Sequence, residues 1–156
     1  MRGDPEIIDL LNEVLTAELT AINQYFLHAK MLENWGYRRL AQQKHNESIE
    51  EMKHADKVIA RILFLDGTPN VQRLGVVQTG EEPREMHRVD LALEEDAVAR
   101  LNRGIALSVA KTDGGTRALL ESILIEEEEA VDWLTAQLGL IDSLGVERYL
   151  AEQLKE

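Results

Sequence analysis

Four glutamates and a histidine recur along this chain at spacings suited to metal binding. Glu18 precedes the pair Glu51-x-x-His54 by 33 residues, and the same interval separates Glu94 from Glu127. Residues three apart on a helix share a face, so Glu51 and His54 can bind one metal ion together. Carboxylates combined with an imidazole suit Fe(II) or Mn(II) better than the metals that prefer soft ligands.

The second copy of this arrangement lacks its histidine. The position three residues after Glu127, where the first copy has His54, holds Ala130. The repeat predicts a two-metal site built from two helical hairpins, and Ala130 makes the competence of that site the main question.

Composition indicates an all-helical protein. The 156 residues are 44% apolar and 29% charged and include three prolines, and the long runs are built from Ala, Leu, Glu, Arg and Gln. We expect one domain covering residues 1–156. The chain has no cysteine, which excludes disulfides and thiolate metal sites.

Charge and hydropathy narrow the classes of partner. The net charge of -12 argues against nucleic acid as the main partner, because phosphate binding needs a basic face. No apolar run is long enough for a membrane span, and the start MRGDPEIIDL resembles neither a signal peptide nor a transit peptide. We therefore expect a cytoplasmic protein.

Hydrophobic periodicity and breakers predict four long helices and a short fifth. Asp4 is a suitable N-cap, with Pro5 at the first helical position. The segment 67–83 contains three glycines and two prolines, so it should be an extended connection. The short links make two antiparallel hairpins, and the long one can cross the bundle, which is the ferritin-like four-helix arrangement. The predicted helices cover residues 5–36, 37–65, 84–111, 116–138 and 146–154.

Helical phase directs the four glutamates at the core. At about 100° per residue, each is centred on an apolar stripe of its helix. In the run Glu126-Glu127-Glu128-Glu129, only Glu127 is centred on the stripe, and the other three should face solvent. A buried carboxylate needs a partner. Interhelical ion pairs would require four inward basic residues, and only Lys44 falls near these stripes, so we favour metal binding.

A second apolar stripe runs along the second helix. It carries His45, Ile49, Met52, Ile59 and Leu63, and the first helix has a matching stripe. Helices with two apolar faces bury one of them against a partner, most commonly in a two-fold dimer. From its position alone, Met52 is interpreted as a packing residue at this interface.

The chain as a whole resembles the bacterioferritins. The resemblance is carried by the helix lengths, the Glu-Met-Lys-His string and three segments: LNEVLTAELTAINQYFLHAKMLENWG, NESIEEMKHADKVIARILFLDGTPN and VDWLTAQLGLIDSLG. It implies a cage of twenty-four subunits that acts as a ferroxidase. Such a cage oxidises Fe(II) with O2 or peroxide and stores a ferric mineral.

The resemblance also implies roles for individual residues. Met52 matches the methionine that, paired across two subunits, holds haem b, and His45 would be a rim residue or a haem neighbour. Tyr25 matches a tyrosine beside the di-iron centre that hydrogen-bonds a ligand or donates an electron; a core tyrosine with a satisfied hydroxyl is the alternative. A ferredoxin-type reductase is the implied redox partner. The implied di-iron ligands are Glu18, Glu51, His54, Glu94 and Glu127.

Ala130 departs from the family pattern, which has a histidine there, and leaves one metal without a nitrogen ligand. His28 and His87 lie roughly 15 and 10 Å along their helices from the nearest site glutamate, too far to replace it. Three alternatives follow. The chain is an active ferroxidase with a weakened centre, natural or introduced; a haem-binding subunit that co-assembles with an active one; or another di-iron enzyme, such as a rubrerythrin-like peroxidase or an oxygenase.

Overall fold

The computed structural model describes residues 1–155, which form a four-helix bundle with a short fifth helix and no strand. The predicted all-α architecture is therefore confirmed. Segment 65–82, between α2 and α3, is the long connection. No helix in residues 1–155 is both long and apolar enough to cross a membrane. The helices are α1 (Pro5–Trp35), α2 (Arg38–Phe64), α3 (Pro83–Ala110), α4 (Gly114–Leu144) and α5 (Val146–Ala151).

The ends of α1 form as the sequence predicts. The Asp4 side chain accepts a hydrogen bond from the Glu6 backbone N–H at 2.8 Å, and Pro5 occupies the first turn, where its missing donor is harmless. Gly36 ends the helix with φ +91°, a left-handed conformation that favours glycine. These local signals fix where the first hairpin turns.

The predicted bounds of the last two helices are wrong. Helix α4 continues through Gly139 to Leu144, because one exposed glycine costs only about 1 kcal/mol and Ile141, beyond it, is fully buried. The break comes at Gly145, with φ +83°. Helix α5 ends at Ala151 rather than Leu154, whose side chain is exposed and gives no further turn an apolar contact to make.

Two apolar clusters fill the bundle and leave a polar layer between them. One cluster uses residues 7–15, 55–65, 101 and 120–123, and the other uses residues near 32, 40, 86 and 141. On every long helix the predicted glutamate lies between the residues of the two clusters. Because each cluster packs side chains from all four helices, the helices are held together on both sides of that layer.

A buried polar network lies beside this layer, with Lys44 at its junction. Its ammonium donates to Asp90 Oδ2 at 2.7 Å and to His87 Nδ1 at 3.0 Å, and all three side chains are buried. The other His87 nitrogen, Nε2, lies 3.0 Å from the Tyr149 hydroxyl, which ties α5 to the bundle. Since Lys44 can only donate, His87 Nδ1 accepts and Nε2 carries the proton.

The connection between α2 and α3 joins the same network. The Gly80 backbone N–H donates to His28 Nε2 at 3.0 Å, so His28 carries its proton on Nδ1 and donates it to Asp90. Burial raises the pKa of Asp90, but the charge of Lys44 and the hydrogen bond from His28 outweigh it and lower the pKa to about 2. Burial and the Lys44 charge lower the pKa of His87 to about 2, so His87 stays neutral. Lys44 is thus paired with Asp90 rather than with the predicted metal ligands.

Replacing Lys44 with methionine should strongly destabilise the fold. The Lys44→Met variant leaves the Asp90 carboxylate buried without its ion-pair partner, which should cost about 3 kcal/mol or more. Urea unfolding at equal subunit concentration measures this loss. Lys53→Met is the control, because Lys53 pairs with Glu50 on the exposed surface and should lose under about 1 kcal/mol. Equal losses in the two variants would contradict a structural role for Lys44.

Candidate metal centre

The structure brings the predicted glutamates and histidine together in the polar layer. Glu18 comes from α1, Glu51 and His54 from α2, Glu94 from α3 and Glu127 from α4, and each is at most 3% exposed. One potential ligand atom from each residue except Glu94 lies within 4.8 Å of the others. All four glutamates line one small internal cavity of about 10 Å³, close to the space that a single water or ion needs.

His54 turns one ring nitrogen toward the carboxylates. Its Nδ1 lies 3.0 Å from Glu127 Oε1, 3.5 Å from Glu18 Oε2 and 3.8 Å from Glu51 Oε1. Its other nitrogen, Nε2, contacts the carboxylate of Glu126. The imidazole therefore stands between the buried cluster and a second carboxylate outside it.

Several polar atoms of the cluster are buried without a hydrogen bond, although His54 Nδ1 and Glu127 Oε1 lie only 3.0 Å apart. Within residues 1–155, no hydrogen-bond partner satisfies Glu18 Oε2, Glu94 Oε2, His54 Nδ1 or either carboxylate oxygen of Glu127. An unsatisfied buried acceptor costs about 1–3 kcal/mol, and more when it is charged. Oxygen and imidazole atoms that converge without partners form a donor set suited to a divalent cation such as Fe(II) or Mn(II). The donor atoms of these residues therefore fit a divalent metal ion.

Burial and mutual repulsion oppose the ionisation of these carboxyl groups. Burial raises the pKa of Glu127 to about 7, and the Glu51 charge adds to the rise. The same desolvation raises the pKa values of Glu18, Glu51 and Glu94 well above the usual range. For His54 burial lowers the pKa, but close contact with Glu127 and the surrounding negative charges raise it to about 9.

Glu94 is held by a tyrosine. The Tyr25 hydroxyl, buried on α1, donates a hydrogen bond to Glu94 Oε1 at 2.8 Å, which leaves Oε2 facing the cavity. Burial and the Glu94 charge raise the pKa of Tyr25, so it keeps its proton and acts as a donor. The hydroxyl thus fixes which Glu94 oxygen is available to a ligand.

Comparison with known proteins identifies the family. Residues 8–144 match the ferritin-like domain family. The chain is 51% identical to bacterioferritin BfrA of Mycobacterium tuberculosis (strain ATCC 25618 / H37Rv) over 152 residues, which cover 97% of this chain and 96% of that protein. The chain belongs to the bacterioferritin family. It is also 48% identical to a bacterioferritin of Streptomyces coelicolor, over 100% of this chain and 93% of the relative, and 45% identical to one of Rhodobacter capsulatus, over 93% and 90%.

In this bacterioferritin chain, Ala130 lines a second cavity beside the cluster. The cavity measures about 340 Å³, and Glu51, His54, Glu126 and Ala130 contribute to its walls. The other histidines of the bundle do not fill the place of a second imidazole. His28 and His87 are both engaged in the Lys44–Asp90 network.

The contact of Glu126 with His54 is the feature of the site that sequence reasoning missed. Glu126 is exposed as predicted, with 46% of its side chain accessible, but its carboxylate also contacts His54. Glu128 and Glu129 are exposed as predicted. The sequence contained one indication of this contact. Glu126 lies about 100° from Glu127 around α4, and His54 is likewise rotated away from Glu51 around α2, so the two side chains can leave their helices toward each other.

Met52 lies on the surface rather than in the centre. It is 52% exposed on α2, among the partly exposed apolar side chains Ile49 and Leu63. Phe26 on α1 is also exposed, as the second stripe predicts, and His45 is exposed as well. The second face is therefore accessible in the single chain.

The metal-free protein should become less stable as pH rises. Glu127 has a folded-state pKa above its ordinary value of 4.5, so its contribution is present below pH 4.5 and is lost toward pH 7. His54 contributes below about pH 6.5 and loses that contribution through about pH 9. The melting temperature after chelation should fall from pH 5 to pH 9.

The variant Glu127→Gln tests whether ionisation of Glu127 causes this loss of stability at high pH. It removes one buried charge and should raise the melting temperature of the chelated protein at pH 8 by about 5 °C, with little effect at pH 5. Glu128→Gln removes one exposed charge and is the matched control. A melting temperature that is flat or rises with pH, or an equal effect of both variants, would contradict the assignment.

Proposed function

We propose that this chain stores iron, and that Fe(II) is its substrate at the buried glutamate centre. The observation that carries the proposal is the cluster of buried carboxylate and imidazole atoms without hydrogen-bond partners, whose glutamates line one small cavity. Membership of the bacterioferritin family supports iron as the metal. The ligands would be Glu18, Glu51, His54, Glu94 and Glu127.

The residues of this chain would bind the metal, release protons when it binds, and orient one another. Fe(II) bound here supplies the electrons that reduce O2 or peroxide. The raised pKa values of Glu127 and His54 mean that protons compete with a cation for these ligands near neutral pH, so metal affinity should rise with pH. Glu51 and Glu127 come from different hairpins, so they would hold the metal from both halves of the bundle. Tyr25 orients Glu94.

Ala130 supports a second candidate, a cage subunit with a weak or inactive centre. Among the described residues that line the cavity beside Ala130, the imidazole is that of His54, whose Nδ1 faces the buried glutamates, so a second metal on the α4 side would have only carboxylates and water as ligands. Such a subunit would still contribute its surface and haem site to a cage shared with an active subunit. The difference between the candidates is the rate of Fe(II) oxidation.

The two candidate functions are distinguished by the rates of Fe(II) oxidation of the parent chain, Ala130→His and Glu127→Gln. We expect the parent to exceed Glu127→Gln, and Ala130→His to exceed the parent by about tenfold, because a restored imidazole strengthens the second metal site. A parent no faster than Glu127→Gln would contradict ferroxidase activity and favour the inactive subunit. A parent as fast as Ala130→His would contradict a weakened centre.

We further propose that Met52 binds haem b between two copies of this chain in a twenty-four-subunit cage. A thioether can serve as an axial haem ligand, and Met52 stands exposed in an apolar stripe that a two-fold partner would cover. Bound haem would supply an electron-transfer centre, with a ferredoxin-type reductase as the electron source for iron release. Phe26 and Ile49 would contribute apolar contacts.

Met52→Leu should abolish haem binding and leave the cage assembled. Leucine keeps the apolar volume but has no sulfur ligand, so the haem absorption band after reconstitution should fall by at least tenfold. Met31→Leu, a change away from this stripe, is the control. Size exclusion checks the particle, whose subunit mass is 17.6 kDa. Full haem binding by Met52→Leu would exclude Met52 as the ligand.

A further inference from the structure

Glu126 reaches the cluster from the solvent side of α4. Its neighbour Glu127 points into the buried layer, whereas Glu126 lies about 100° around the helix, toward α2. Its side chain is 46% exposed, yet its carboxylate contacts His54 Nε2. Ala130, one turn further along α4, leaves the space beside this contact open.

The contact matters because His54 supplies the only imidazole among the clustered ligands. A neutral imidazole carries one proton, so it can bind a cation through Nδ1 only when the proton is on Nε2. A carboxylate that accepts from Nε2–H fixes that tautomer and the ring orientation. Glu126 is placed to accept this hydrogen bond while Nδ1 faces Glu18 and Glu127.

We infer that Glu126 is a positioning residue that holds His54 with Nδ1 directed at the metal. The inference rests on the proposed metal site and adds a residue outside its ligand set. Because Ala130 removes the second imidazole, the affinity of the centre for a cation that favours nitrogen depends on this single oriented ring. Glu126 therefore acts through His54 and touches no metal itself.

Co(II) binding to the chelated full-length protein tests this assignment without any turnover. Co(II) is the probe, and its visible absorption reports both affinity and the loss of a nitrogen ligand. Glu126→Ala should weaken Co(II) binding by about tenfold or more and shift the spectrum toward that of His54→Ala. Glu126→Gln keeps an acceptor oxygen and should restore most of the affinity.

A double variant and a matched control separate positioning from general charge. Adding Glu126→Ala to His54→Ala should cause no further loss, because the first residue acts only through the second. Glu129→Ala removes a carboxylate from the same cavity, next to Ala130, and should leave the spectrum unchanged. Thermal melts of each variant show that the fold is kept.

The outcomes distinguish this inference from the proposed function. If the parent binds Co(II) through His54 but Glu126→Ala behaves like Glu129→Ala, the positioning role is wrong and the metal site stands. Additive losses in the double variant would also overturn it, since they show action independent of His54. If the parent binds no Co(II), the metal site fails, and the role of Glu126 fails with it.

Discussion

Four carboxyl groups are forced into one apolar bundle, and this burial governs the rest of the structure. Moving a charged carboxylate out of water costs several kcal/mol, and four neighbours of the same sign add repulsion. The protein without metal meets this cost by raising the pKa values of Glu18, Glu51, Glu94 and Glu127. The apolar clusters on either side of the layer supply the packing that holds the helices together around it. Cation binding removes the same cost, so the layer's instability is a source of metal affinity.

The bundle contains a second set of buried polar groups, and the contrast between the two sets distinguishes structure from site. In the Lys44 network each named donor meets an acceptor, and the pKa of Asp90 falls because its charge is paired. In the glutamate layer the pKa values rise, and several oxygens have no partner among the described residues. A buried polar network whose hydrogen bonds are all formed makes the fold specific, whereas buried polar atoms without partners indicate a ligand site. The two sets lie on the same helices, but the pKa of the buried carboxyl group is lowered in the first set and raised in the second.

The centre is also asymmetric. The α2 side has an imidazole with carboxylates at both nitrogens, and the α4 side has a methyl group facing a cavity. Loss of one histidine therefore leaves the carboxylates of both hairpins in place. His54 is then the one imidazole among the clustered residues, and its orientation matters for metal binding. In the proposed two-metal centre, the position on the α4 side is therefore the weaker one.

The sequence alone determined the bundle, the hairpins, the cap of α1 and the inward direction of all four glutamates, because these follow from periodicity, breakers and helical phase. It misjudged the end of α4, since the burial of Ile141 outweighs the local cost of Gly139. It also could not tell that Lys44 pairs with Asp90, or that Glu126 reaches His54. Helical phase gives the direction in which a side chain leaves its own axis. Which group meets it there depends on how neighbouring helices are rotated and spaced, and only tertiary packing decides that.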